Sequence, residues 1–600
     1  MARPDEPEQG SDPNSDPKKP PTSRRDFLRA AGFTAAGLGV GGVVGGLAGA
    51  IAGQQHPSPL PDTTLAPRAD GPGFDHLVVV MFENRSFDNL LGFLYSDDGV
   101  PVPRGQQFEG VAGKQLSNTT LDGDEVAVHA YSGPTDEVMR SPDPDPGEEY
   151  PFVNTQLFGT VDPASNASHR VPELEPPYNA PRDDTAPDMS GFLADYIDKF
   201  RGEHGRDPQR EEYQRIMGSF TPEMLPVFST LAREFAVYDH WHCAVPSQTF
   251  PNRSFFHAGT SHGFVTNSFN PGIGKWLDPL YNTGTTIFNR LEEAGIPWRI
   301  YYDERQLVSL TGMLHAPHLE RYWKSHFRTM TTFFEDVANG TLPAYSFIEP
   351  RLTFDHNDMH PPVGPLTRVD VDGTIIEGGG ISDVRAGEAL LHRLYTAIRE
   401  SSTATGSHAL NTTLMVTFDE HGGTYDHVPP PRAPAPPLPG ETEMDFRFDR
   451  LGVRVPTLVI SAYTPSAVIN EPMHHGSLIS TLTHRFGLKH LTARDEHAPT
   501  IQNAHTLTTP RSPATWPSTF PLYSPPNPEA VDPTADGDDD RPLSPPGVGL
   551  VALLLARYAP QDPVPRTYRE AYDAIRRHGE GLFGTTNPPV KSGGMTGGGH

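Results

Sequence analysis

Cysteine is nearly absent from this chain. Cys243 stands alone among 600 residues, which excludes an internal disulfide and any cluster of thiolate metal ligands. Basic residues are also scarce, at 47 Lys and Arg against 75 Asp and Glu, for a net charge of −28. That balance argues against nucleic acid or anionic lipid as a partner held by a general field, and no basic amphipathic helix suited to an anionic membrane is evident. A neutral or zwitterionic substrate fits better. What is plentiful is proline and glycine, 65 and 57 residues, too many for a chain made mostly of helix and strand. Long ordered loops or irregular ends are expected.

The first of those ends has a specific pattern. Residues 1–22 are polar and Pro-rich. Ser23-Arg24-Arg25-Asp26-Phe27-Leu28 then leads into an apolar run from Ala30 to Ala52, with small residues at Ala50-Ile51-Ala52. Residues 1–55 resemble a twin-arginine export signal, which implies passage through that machinery to a secreted, periplasmic or cell-surface location. The alternative is an uncleaved membrane anchor, since the run is about long enough to span a bilayer. Eight glycines between Gly32 and Gly49 weaken that alternative by lowering its hydrophobicity.

Between about Asp75 and Asp495, strand-like and helix-like segments alternate. Leu77–Phe82, Trp298–Tyr302, Tyr345–Ile348, Leu414–Phe418 and Thr457–Ser461 read as strands. Pro222–Phe235, Thr286–Ala294, Val384–Arg399 and Ser477–Phe486 read as helices. In the third of these helices Leu390, Leu391, Leu394, Tyr395 and Ile398 recur at the spacing of a helix laid on a sheet. The alternation predicts an α/β fold with a mostly parallel central sheet, flanking helices and long loop insertions. Catalytic groups should then gather at the carboxyl ends of the strands. A catalytic domain is expected over residues 70–498. Residues 499–600 read as a Pro-rich linker or wrapping tail, with two short helices over Gly549–Tyr558 and Tyr568–His578.

Two motifs sit where such a fold would place chemistry. Glu83-Asn84-Arg85-Ser86-Phe87-Asp88 follows one apolar run, and Asp419-Glu420-His421-Gly422-Gly423-Thr424-Tyr425-Asp426-His427 follows another. Oxygen and nitrogen donors without thiolates suit a hard or borderline divalent cation, with zinc, manganese, iron and calcium all compatible. Such a cation in a cleft usually polarises a phosphoryl or carbonyl oxygen or activates a nucleophile, so hydrolysis is the expected chemistry.

Together with Val245-Pro246-Ser247-Gln248-Thr249-Phe250-Pro251-Asn252-Arg253 and Asn357-Asp358-Met359-His360-Pro361, these motifs occur in an order that resembles the phosphoesterase family of bacterial phospholipases C, plant nonspecific phospholipases C and a related acid phosphatase. The resemblance implies an alkaline-phosphatase-like fold, a divalent metal and a covalent phosphoenzyme. Carried over residue by residue, it implies Thr249 as nucleophile, with Ser247 as the fallback and a plain helix cap as the alternative role for Thr249. Glu83, Asn84, Asp419 and Glu420 become metal ligands, with His475 as ligand or acid. His360 would bind metal or phosphate. His421 or His427 would protonate the leaving group, unless His427 only braces its loop. Arg85 and Arg253 are expected to brace carboxylates rather than grip phosphate, Asp358 and Asp383 to support the site, and Asp426 to be structural.

The chain departs from the pattern at two places. Glu148 stands where plant relatives carry the His of Asp-Pro-Gly-His, and residues 363–382 form an insertion beside His360. The aromatic residues Tyr150, Phe152, Phe158 and Tyr178 are candidates for an acyl-chain rim or for a small satellite core. The expected activity is phospholipase C-type cleavage of glycerophospholipids with transient contact to a lipid surface. An acid phosphatase or broad phosphomonoesterase is the alternative, and a noncatalytic surface binding protein a third.

Overall fold

Six residues of continuous apolar sequence, Leu77–Phe82, in the strand His76–Phe82 (β1), are buried on both faces, as a strand must be when helices cover both sides of its sheet. The computed structural model describes residues 65–586 apart from 97–99, 121, 134, 168–172, 182–183, 269–271, 354–355, 362–366, 370–374, 378–382, 439, 523–542 and 544. The export signal expected over residues 1–55 lies outside the described residues, as does most of the 363–382 insertion. Of that insertion a two-stranded antiparallel pair, Thr367–Val369 with Ile375–Glu377, is described.

Around β1 the described residues form an eight-stranded sheet. Its other strands are Ala236–Tyr238 (β2), Trp298–Tyr302 (β3), Phe327–Thr329 (β4), Tyr345–Glu349 (β5), Thr412–Phe418 (β6), Thr457–Ile460 (β7) and Ala467–Ile469 (β8). The spatial order is β8-β2-β7-β6-β1-β5-β3-β4. Every neighbouring pair is parallel except the two made by β7, which runs against the rest. The expected α/β architecture with a mostly parallel sheet therefore holds. The reversal of β7 has one local effect: the residues just before Thr457 lie at the edge where the parallel strands end.

The helices used below are Tyr150–Phe158 (α1), Phe192–His204 (α2), Pro226–Glu234 (α3), Thr249–Ala258 (α4), Val384–Glu400 (α5), Gly476–Phe486 (α6), Pro545–Tyr558 (α7) and Tyr568–Gly579 (α8). Asp383 starts α5 by accepting from the Arg385 amide at 2.9 Å, and Leu390, Leu391, Leu394, Tyr395 and Ile398 form the buried stripe. Glu388 on the same helix accepts from the amides of Val227 and Phe228, each at 2.7 Å, so α5 caps the first turn of α3.

The two C-terminal helices lie where the sequence places them, and Leu550, Leu553, Leu554 and Ile575 are buried in the main core. Gly549 on α7 approaches the Phe250 ring so closely that an added Cβ would meet it at 2.8 Å. Farther upstream, Tyr395 of α5 donates to Pro517 O at 2.7 Å and Trp516 stacks on the Tyr395 ring. Phe158 on α1 packs with Leu193 and Tyr196 of α2 in a satellite core, and Tyr150 joins Phe446 and Phe448 in another. Both rings are thus interior rather than rim. Cys243 is buried and free. Among the described residues no helix is long and apolar enough to cross a membrane.

Candidate active site

Strand register builds the site. β1 and β6 pair in parallel with Phe82 opposite Phe418, so Glu83-Asn84 and Asp419-Glu420 leave the sheet side by side. Asn84 takes a positive φ of 57°, a conformation that asparagine tolerates better than most residues. This turn lets its amide donate to Asp419 Oδ1 at 3.2 Å. Gly422, at φ 60°, lies directly against the Asn84 carbonyl, and a Cβ there would clash with it.

Glu83, Asn84, Asp419 and Glu420 are all fully buried. Arg253 binds Glu83 Oε1 and approaches Asp419 Oδ2 with Nε at 3.4 Å. One guanidinium facing three carboxylates leaves two negative charges uncompensated. Burial first, and then neighbouring carboxylates, hold Glu83 and Glu420 well above the usual carboxylate range. Asn84 Oδ1, Asp419 Oδ2 and Glu420 Oε1 are buried without a hydrogen-bond partner. Stranded oxygens and excess negative charge together fit a divalent cation.

Thr249 is the first residue of α4, while the cap position belongs to Gln248. The Thr249 hydroxyl does not cap the helix but donates to Glu83 Oε2 at 3.2 Å. The loop before it is clamped by Asn252, whose amide donates to the carbonyls of Val245, Ser247 and Gln248 at 3.2, 2.6 and 3.1 Å. Ser247 donates to Val265 O instead of facing the carboxylates.

The histidines divide into distinct settings. His475 donates from Nε2 to Asp419 O at 2.6 Å and accepts at Nδ1 from Trp241 at 3.3 Å. Both ring nitrogens are thus engaged, Nε2 with the Asp419 backbone and Nδ1 with the Trp241 indole. His421 Nε2 meets Gln156 Oε1 at 2.8 Å. The Gln156 amide nitrogen already donates to Gly147 O and Asp195, so the imidazole is the donor. Its Nδ1 lone pair is left buried beside Glu420, 3.3 Å from Oε2, and burial lowers its pKa to about 3.

His427 belongs to another cluster. It meets Asp88 at 2.6 Å and Glu109 at 2.9 Å, close to Asp426 and the fully buried Arg454. Arg454 donates to Asp88 Oδ1 at 2.8 Å, Asp426 Oδ1 at 2.9 Å, and the carbonyls of Glu109 and Asp239. Asp88, Asp426 and His427 are close enough to share an ion, but the guanidinium already supplies the cation there.

His360 donates from Nδ1 to Pro361 O at 2.7 Å, which leaves Nε2 as a buried lone pair without a hydrogen-bond partner. It lies by Asp145 and Glu148. Asn84 Nδ2 donates to Glu148 Oε2 and Gln248 Nε2 to Glu148 Oε1, so the residue that departs from the plant pattern joins the carboxylate cluster to the Thr249 loop. Burial first, with repulsion from Asp145 and Glu149, raises its carboxyl to about 7.

Arg85 binds Met359 O at 2.7 Å and Ser141 O at 2.6 Å, bracing loops rather than facing the carboxylates. Asp358 accepts from the His360 amide at 3.0 Å and from His356. Asp383 caps α5 and pairs with Arg385. Two participants escaped the sequence reading. Arg454 had a usable signal, a charge inside the apolar run Val453 to Ile460. Asp145 lies in the Asp-Pro-Gly stretch that precedes Glu148, but that motif gave it no role of its own.

The phosphoesterase family matches residues 74–489. Among curated relatives, non-specific phospholipase C3 of Arabidopsis thaliana is 32% identical over 457 residues, covering 73% of this chain and 74% of its own length. Non-hemolytic phospholipase C of Pseudomonas aeruginosa is 25% identical over 459 residues, or 69% of this chain and 54% of that protein. Among solved structures, a protein in the alkaline phosphatase superfamily from Vibrio parahaemolyticus aligns at 14% identity and a TM-score of 0.28, over 47% of this chain and 65% of that one. With the family match spanning well over half of its length, this chain belongs to the phosphoesterase family and is a phosphoric ester hydrolase.

Proposed function

We propose that the protein is an exported phospholipase C that cleaves glycerophospholipids to diacylglycerol and a phosphorylated headgroup through a phosphothreonine at Thr249. The observation that carries this reading is the Thr249 hydroxyl bonded to Glu83 beside a buried carboxylate cluster. A divalent cation held by Glu83, Asn84, Asp419 and Glu420 would draw charge from the nonbridging phosphate oxygens.

The chain's own groups do the rest. Oγ1 of Thr249 forms a bond to phosphorus as the bond to the glyceryl oxygen breaks. The hydroxyl proton passes to Glu83 Oε2, its present acceptor, and the departing oxygen takes a proton from solvent. Water then attacks the phosphothreonine, releasing the phosphorylated headgroup and restoring the hydroxyl. Arg253 keeps Glu83 and Asp419 in place, and His475 holds the Asp419 backbone. A diester is favoured over a monoester because Glu148 lies beside the cluster and, when ionised, repels the second charge of a monoester. The twin-arginine pattern around Arg24-Arg25 supports export. The net charge of −28 supports transient, apolar contact with lipid and no binding to nucleic acid.

Phosphocholine release from phosphatidylcholine vesicles, measured beside hydrolysis of a simple aryl phosphate monoester, tests the substrate class. Faster monoester turnover would favour the phosphatase alternative. Thr249→Ala should lower turnover by about 10⁴-fold or more; hydrolysis at the wild-type rate would refute the nucleophile.

A further inference from the structure

His360, Glu148 and Asp145 form a second set of donors to which the hydrolytic reading above assigns no ligand. One donor atom from each lies within 4.8 Å of the others. That separation is compatible with one coordination sphere of metal–ligand bonds near 2.0–2.2 Å after small side-chain adjustments. Acidic side chains that meet by chance do not make a site, but two further observations point to a ligand here.

The first is His360. It is fully buried, its Nδ1 is committed to the Pro361 carbonyl, and Nε2 is left as an unpartnered lone pair beside Asp145 Oδ2 at 3.9 Å. Ligating histidines are commonly oriented in this way, with the distal N–H tied to a carbonyl and the other nitrogen free to bind. The second is the way the loops are held. Arg85 ties the Met359 and Ser141 carbonyls together, which fixes the segment bearing His360 against the one leading to Asp145. The three donors are thus placed before any ion binds.

We infer that Asp145, Glu148 and His360 bind a divalent cation of their own, separate from the Glu83, Asn84, Asp419 and Glu420 seat and linked to it through the Asn84 side chain. Asn84 makes the link concrete, since Nδ2 donates to Glu148 while Oδ1 stays unpartnered. Two carboxylates and one imidazole suit zinc, manganese or iron(II).

The second seat rests on the phosphoesterase reading for its part in catalysis, though not for its existence. Neither His421, whose N–H is committed to Gln156, nor His427, held by Asp88 and Glu109, is placed to give a proton to a departing alkoxide. A cation at Glu148 would instead stabilise that alkoxide, and the carboxylate found where plant relatives carry histidine would serve as an anionic ligand.

Cation stoichiometry tests this. The full-length chain, stripped with chelator, is dialysed to equilibrium against manganese(II), and bound metal is measured by elemental analysis. Wild type should hold two ions per chain, and Glu148→Gln and His360→Gln one each. One ion on wild type, or two on both variants, overturns the second site. If one substitution fails to fold by circular dichroism, the other decides. Asp419→Asn, run in parallel, should also fall to one. If it still holds two while Glu148→Gln holds one, the first seat is misassigned and the second stands.

Discussion

Replacing Arg454 with methionine removes a fully buried guanidinium that donates to two carboxylates and two carbonyls. Asp88 and Asp426, both buried, would lose their main counter-charge while His427 kept its bond to Asp88. Removing one partner of a buried ion pair typically costs about 3–5 kcal/mol, because the remaining charge is stranded. Unfolding entropy near 2.1 cal/mol/K per residue, over roughly 500 ordered residues, comes to about 1 kcal/mol per kelvin, so the melting midpoint should fall by about 3–5 °C.

The sign of the pH dependence follows from the same charges. Burial, followed by repulsion from Asp88, already raises Asp426 despite Arg454, and without Arg454 it should rise further. A carboxyl whose folded pKa exceeds its unfolded value of about 3.9 binds more protons in the folded state across that interval, so stability grows as pH falls. Calorimetry of Arg454→Met against wild type should therefore show a deficit that narrows between pH 8 and pH 5. Adding Asp88→Asn and Asp426→Asn should recover part of it at pH 8. A deficit below about 1 °C, or one that is equal at both pH values, would refute the view of Arg454 as the cation of this cluster.

His427 has the opposite dependence. Burial lowers its pKa, but the hydrogen bond and charge of Asp88, with Asp426, outweigh that and leave it above its ordinary value. Its contribution to stability is full below about pH 6.5 and lost as pH climbs through the folded value, so His427→Gln should cost more in melting temperature at pH 6 than at pH 9. Gly422→Ala should displace the Asn84 carbonyl and lower both bound cation and turnover, the latter by about 10²-fold, since small misplacements of reacting groups have effects of that size. Unchanged metal content would show that Asn84 tolerates the shift. Asn252→Ala should free the loop carrying Thr249 and lower kcat by about 10²-fold while bound metal persists; a loss of metal without a change in kcat would contradict the clamp.

What was legible in the sequence depended on length and on local pattern. Trp298–Tyr302 was read to the residue, and the runs ending at Phe82 and Phe418 were recognisable because a strand covered on both faces is continuously apolar. Ala236–Tyr238, Phe327–Thr329 and Ala467–Ile469 passed unnoticed, since three residues carry no periodicity. Nothing in Thr457–Ile460 signals that it runs against its neighbours. Within the site, Glu83-Asn84 and Asp419-Glu420 could be paired because each follows a readable strand. The partners of Arg454 lie 28 and 366 residues away, beyond any local pattern. His421 and His427 looked alike in sequence, but the turn at Gly422 and Gly423 parts them, leaving one beside Glu420 and sending the other to Asp88.

The contact between Gly549 and the Phe250 ring bears on the order in which the molecule can be completed. The ring in the first turn of the Thr249 helix packs on Trp276 and also leans on a segment about three hundred positions downstream. Until that helix docks, one wall of the shelf beneath the threonine is missing. A chain that already has all its acidic donors thus still needs that distant helix to hold the threonine helix firmly.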